Sequence, residues 1–159
     1  MNTPSQKNII ENINSFIDMG NIDFDFMLGC YIDYIQLLSE SEEFRSFAGE
    51  VACDFLRENI DVLRINLLGQ LDSKLLAEKK VELWGLHATS NNDLKKIVRL
   101  IITGLASKEG TLNYSNYPEY ISADMLEISI STLYDLNWKY ANDFCFFFKG
   151  VIEDKQNYS

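Results

Sequence analysis

The sequence predicts an all-α chain folded as one compact domain of six or seven helices over residues 1–159. Three observations carry that expectation. Apolar residues recur near every 3.6 positions through most of the chain. Only two prolines and eight glycines interrupt 159 residues, too few for a fold made of many turns. Hydrophobic residues make up 47% of the composition, enough at this length to fill a core without disulfides or metal.

Each helix has its own signature. Ile9, Ile10, Ile13, Phe16 and Ile17 form a first stripe, with Gly20 as its stop. Phe24, Leu28, Tyr31, Ile32, Ile35 and Leu38 form a second, and Tyr31 falls on its core side. Ser39 and Glu42 have capping-box spacing and predict the start of a third helix, bearing Phe44, Phe47, Val51, Phe55 and Leu56. That helix runs on or bends through Leu63 to Leu68, and Gly69 ends it. A shorter helix covers Lys74 to Leu86. Ser90-Asn91-Asn92-Asp93 then supplies an N-cap and an acidic first turn to the cleanest stripe, Leu94, Ile97, Val98, Ile101, Ile102 and Leu105. Residues 107–118, rich in Gly, Asn, Ser and Tyr, predict a loop. Met125 to Leu136 and Trp138 to Ile152 predict two last helices, although 128–132 and 144–148 each pass equally for a short strand.

Cys30, Cys53 and Cys145 are widely spaced and odd in number, and no Cys-x-x-Cys occurs. Reduced thiols serving as small apolar core groups in a cytoplasmic protein are the expectation. The N-terminus MNTPSQKNIIENINSF lacks the pattern of a signal peptide, and no apolar run approaches the ~18 residues of a membrane span. Without a secretory signal, the glycosylation-like triplets at Asn113 and Asn157 are chance matches.

Charge is distributed unevenly. Residues 1–63 hold twelve acids and three bases, 64–110 hold five acids and eight bases, and 111–159 hold seven acids and three bases, for a formal net of −10. Such a field repels nucleic acid and anionic membranes and attracts basic surfaces. Glu40, Glu42, Glu43, Glu50, Asp54, Glu58 and Asp61 line one side of the third helix, where like charges four apart cost a few tenths of a kcal/mol per pair. A solvated face explains such a run, and so does an interaction face relieved by a cationic partner. Tyr114, Tyr117 and Tyr120, in the loop-like stretch, have the residue type of interface hot spots.

Catalytic inventory is thin. His87 is the only histidine and has neither a nucleophile nor a second metal ligand at a useful spacing. Asp23 and Asp25 are the best carboxylate pair, but no calcium-loop pattern follows, and acids opening a helix account for them. No phosphate-binding loop or nucleophile elbow occurs. The expectation is a protein that is not an enzyme and has no cofactor or metal, with a small enzyme using His87 or Asp23/Asp25 as a minor alternative.

The stretch Phe16-Ile-Asp-Met-Gly-Asn-Ile-Asp-Phe-Asp-Phe-Met-Leu-Gly-Cys-Tyr-Ile-Asp-Tyr-Ile35, about an eighth of the chain, resembles helical immunity proteins of bacterial contact-dependent growth inhibition systems. That family is diverse in fold and offers no motif by which binding residues transfer. The resemblance implies a cytoplasmic inhibitor of a basic, nuclease-type toxin domain, without nucleic acid or membrane as a partner. Asp18, Asp23, Asp25, Asp33, Tyr34, Glu40, Glu42 and Glu43 are then the expected partner-binding residues. An acidic helical regulatory module with no toxin is the alternative from a different class.

Overall fold

The computed structural model describes residues 3–18, 21–114 and 121–157. Among these it contains nine α-helices and no strand. They are α1 (Gln6–Asn14), α2 (Phe24–Glu40), α3 (Glu42–Ala48), α4 (Glu50–Leu67), α5 (Ser73–Thr89), α6 (Asn92–Gly104), α7 (Lys108–Tyr114), α8 (Ile121–Leu136) and α9 (Trp138–Asn157). The all-α expectation holds, but the count of six or seven is corrected to nine, for two local reasons. Gly49 splits the expected third helix, and α7 forms inside the stretch expected to be a loop.

The chain divides into two compact units, one of residues 1–30 with 107–159 and one of residues 31–106. In the first unit, Ser5 starts α1 by accepting the Asn8 amide at 3.1 Å, and α1 packs on α8 and α9. The helix ends at Asn14, well before Gly20, which lies outside the described residues. Phe16 is consequently exposed, while Ile9, Ile13 and Ile17 are buried. Ser107 opens α7 by accepting the Gly110 amide at 2.9 Å, a cap masked in the sequence by the polar residues around it.

Both segments that also pass for short strands are helical, in line with the helices predicted there. Along α8, burial of Met125, Leu126, Ser129, Ile130, Thr132, Leu133 and Leu136 follows the helical period. The hydroxyls of Ser129 and Thr132 donate to the carbonyls of Met125 and Ile128, each at 2.8 Å, so they sit in the helix without an unmet polar group. On α9, Phe144 and Phe148 are buried while Phe146 between them is exposed. A strand would place all three rings on one face, whereas a helix separates the middle one. Asn137 starts α9 by accepting the Lys139 amide at 3.0 Å, and α8 packs along α9.

In the second unit, α6 packs against both α4 and α5, and α3 packs against α4. Leu63 of α4 meets α6 where Gly104 leaves room, since a Cβ there would lie 2.7 Å from a Leu63 methyl. The buried Tyr31 hydroxyl donates to the Leu100 carbonyl at 2.6 Å, tying α2 to α6. Burial holds that phenol in its neutral form, with its pKa raised far above the ordinary value.

Several helix ends in this unit are capped by named groups. Asp72 and Asn91 cap α5 and α6 through their side chains, the latter accepting the Leu94 amide at 3.0 Å. At the end of α4, Gly69 adopts φ 71°, while its amide donates to Asn66 and that of Gln70 to Ile65. That pair of bonds is a Schellman motif, so the expected stop at Gly69 is present. The expected capping box at Ser39 is absent. Ser39 ends α2 and donates to the Gln36 carbonyl, and Ser41 caps α3 instead, accepting the Phe44 amide at 3.2 Å.

Candidate partner-binding surface

The eight expected partner-binding residues divide between the two units. In the first, Asp18 accepts a hydrogen bond from the Asn21 side chain at 2.9 Å. Asp23 stands before α2 and accepts the Phe26 amide at 2.7 Å, which makes it the helix N-cap. Asp25, exposed in the first turn, adds a favourable charge at that end of the helix. These carboxylates therefore have structural work that accounts for their spacing.

In the second unit, Asp33, Glu40, Glu42 and Glu43 are exposed. Tyr34 is not. At 5% exposure its ring belongs to the core side of α2, three positions after the fully buried Tyr31 and one before the fully buried Ile35, so it does not present the exposed contact residue expected of it. Tyr117 and Tyr120 lie outside the described residues, and Tyr114 closes α7.

Two arginines organise the acidic side chains. Arg45 reaches Glu50 at 3.2 Å and Asp54 at 3.0 Å, so it bridges the like charges that the sequence places four apart. The hydrogen bond it donates to Asp54, then the charge of Glu50, hold its guanidinium protonated. Arg45 and Arg57 also donate to the Ser39 carbonyl, at 3.5 and 3.2 Å, and so neutralise the C-terminal end of α2. Arg64 pairs with Asp33 at 2.9 Å and donates to the Gln36 side chain. Exposed pairs of this kind add little stability, typically about 0–1 kcal/mol each. Their effect is to fix where the carboxylates point.

The break at Gly49 creates the feature that sequence reading missed. With φ 95° and ψ 154°, Gly49 ends α3 and starts α4 in a conformation open to glycine alone. The buried stripe of α4 becomes Ala52, Cys53, Leu56, Asn59, Ile60 and Leu63, one register away from the expected Val51 and Phe55. Val51 is left 79% exposed and Phe47, across the junction, 49%. By helical position Glu43 lies one turn before Phe47 on α3, and Asp54 one turn after Val51 on α4. Exposed Phe47 and Val51 thus flank Gly49, on two helices that also expose Glu42, Glu43, Glu50 and Asp54. The glycine in Phe47-Ala-Gly-Glu-Val51 was the available signal, since a mid-helix glycine weakens continuity.

His87 is half-buried near the end of α5, its ring edge-on to Trp84 at 5.3 Å between centroids. Desolvation, then the nearby charges of Lys95 and Arg99, lower its pKa. Among the described residues, no group of three or more His, Cys, Asp or Glu could hold a metal ion, and no helix is long and apolar enough to cross a membrane. No protein-family model, curated protein or solved structure matches this chain.

Proposed function

We propose that this chain is an immunity protein that binds and neutralises a basic, nuclease-type toxin domain through the α3–α4 face of its second unit. The observation that carries the reading is the exposure of Phe47 and Val51 on either side of Gly49, on two helices that also expose Glu42, Glu43, Glu50 and Asp54. Tight protein interfaces combine a desolvated apolar or aromatic centre with a polar rim. A nuclease must grip a phosphate backbone and is therefore cationic where it acts. A carboxylate rim facing such a surface speeds encounter above the ~10⁵–10⁶ M⁻¹s⁻¹ expected without steering. The ring and the valine then supply contact area that keeps the complex together.

The residues contributing to this function differ from the set expected from sequence. Glu42 and Glu43 stay in it, Glu50 and Asp54 join it, and Phe47 replaces Tyr34 as the aromatic centre. Asp23 and Asp25 leave it, because helix capping accounts for them.

Capture and rescue together test the proposal. Lysate of the source organism is passed over the immobilised chain at low and high salt, and retained basic proteins are assayed for nuclease activity with and without added chain. Co-expression with the captured protein should restore growth. Reversing Glu42, Glu43 and Glu50 to lysine should slow association and flatten its salt dependence, and Phe47→Asp should speed dissociation. Retention of a partner without any toxicity to relieve would favour a regulatory module on the same face. Unchanged association after the triple reversal would reject this face.

A further inference from the structure

The α5–α6 part of the second unit has a different character. Residues 31–63 hold eight acids and two bases, whereas 64–106 hold four acids and seven bases. Within the basic half, α5 buries only Leu83 completely, on the side that meets α6. Ala77, Val81, Trp84 and Ala88 are all exposed, Val81 at 74% and Trp84 at 45%. Their spacing of four, three and four residues aligns them as one straight stripe along α5. A helix that shows solvent an apolar stripe at this period has the surface of a docking face.

The border on the α6 side is cationic. The Arg99 guanidinium lies 5.0 Å from the centre of the Trp84 ring, held over it by a cation–π contact. Lys95 stands one turn earlier on α6. Neither has a carboxylate within ion-pair distance among the described residues, in contrast to Arg45 and Arg64. Both act on His87 as unneutralised charges. On the far side of the stripe Lys74 and Glu78 are exposed and offset each other.

We propose that this face docks an amphipathic helix of another protein whose apolar stripe is bordered by carboxylates. Its apolar residues seat along Ala77, Val81, Trp84 and Ala88, and its carboxylates pair with Lys95 and Arg99. Alanines at both ends of the stripe let a second helix approach closely, and Trp84 and Val81 between them provide the anchor. The stripe spans eleven residues, about 16 Å at ~1.5 Å per residue, which matches three turns of a partner helix. A second copy of this chain fits poorly. A two-fold pairing of α5 with itself is isologous, so it brings the same cationic border of each copy together. The partner is opposite in charge to the toxin proposed for the α3–α4 face, so the two proposals stand or fall separately.

The test uses Trp84 as its own reporter. The chain has two tryptophans, and Trp138→Phe leaves Trp84 as the only one. This variant is titrated with a synthetic amphipathic peptide carrying leucines on one stripe and glutamates on both borders. The control is the same peptide with lysines in place of the glutamates. The expected result is a blue shift of Trp84 emission with the glutamate peptide alone. Lys95→Glu together with Arg99→Glu should weaken that binding by about tenfold or more, with the helical circular dichroism unchanged because Arg99 is exposed and Lys95 only half-buried. An unshifted emission, or equal binding of the two peptides, overturns the proposal. So does a stable dimer in sedimentation that Trp84→Ala dissociates, because it would assign the stripe to a second copy.

Discussion

Gly49 and Gly85 offer a test in which one chemical change has opposite signs at two sites. At both, an added Cβ meets nothing within 4 Å, so sterics from neighbours are removed from the comparison. Only the backbone differs. Gly49 has φ 95° and ψ 154°, whereas Gly85 is an interior residue of α5. Alanine at position 49 must adopt a conformation that costs about 1–3 kcal/mol. Alanine at position 85 restricts the unfolded chain and favours helix, gaining about 0.5–1 kcal/mol. For a chain of this length each kcal/mol moves Tm by about 2–4 °C. Gly49→Ala is therefore expected to lower Tm by about 2–12 °C and Gly85→Ala to raise it by about 1–4 °C. Thermal melts followed by circular dichroism, on both single variants and the double, measure this directly. Shifts of the same sign, or a Gly49→Ala protein as stable as its parent, would refute the reasoning. The α3–α4 junction would then not depend on a glycine-only conformation.

Further outcomes follow from other contacts. Tyr31→Phe removes a buried hydroxyl that donates to Leu100, and urea unfolding should show a loss of about 1–2 kcal/mol. Because Tyr31 holds its proton more tightly when folded than when unfolded, its contribution is complete below pH ~10 and is lost as pH rises above that. Ultraviolet titration should find one phenol that ionises only with unfolding. Asn91→Ala, which removes the cap of α6, should cost about 1 kcal/mol in the same urea assay. The single histidine resonance should titrate below the ordinary ~6.5 and move up in Arg99→Ala. The folded His87 favours its neutral form, so this group's contribution is present above pH ~6.5 and is lost as pH falls below it.

Most of the helical layout was legible because burial and period agree. The stripe from Ile97 to Leu105 and the cap at Asn91 needed no tertiary information. Neither did the Schellman stop at Gly69. Three features were hidden for distinct reasons. Phe44, Phe47, Val51 and Phe55 keep perfect helical spacing across Gly49, so periodicity reads straight through a break that only the backbone dihedral reveals. Ser107 caps α7 within a run whose composition alone signals a loop. Ile128 to Thr132 alternates like a strand, and its helical burial period shows only over the longer run from Ile121 to Leu136. The proposed contact face was legible in sign and not in detail. Acidity along α3 and α4 can be counted from sequence, but the burial of Tyr34 and the exposure of Phe47 depend on where each helix ends.

The three thiols give the molecule internal clocks. Cys30 and Cys145 belong to the first unit and Cys53 to the second. Burial pushes the Cys145 thiol up to about 12 and also raises that of Cys53. Alkylating reagents attack the thiolate, so modification of the buried Cys30 and Cys53 has to wait for local or global opening. Labelling rates at each position, read by mass spectrometry without adding any probe, would report the opening free energy of each unit in turn. Equal rates at Cys53 and Cys30 would mean that the chain opens as one cooperative body. Unequal rates would identify which unit yields first.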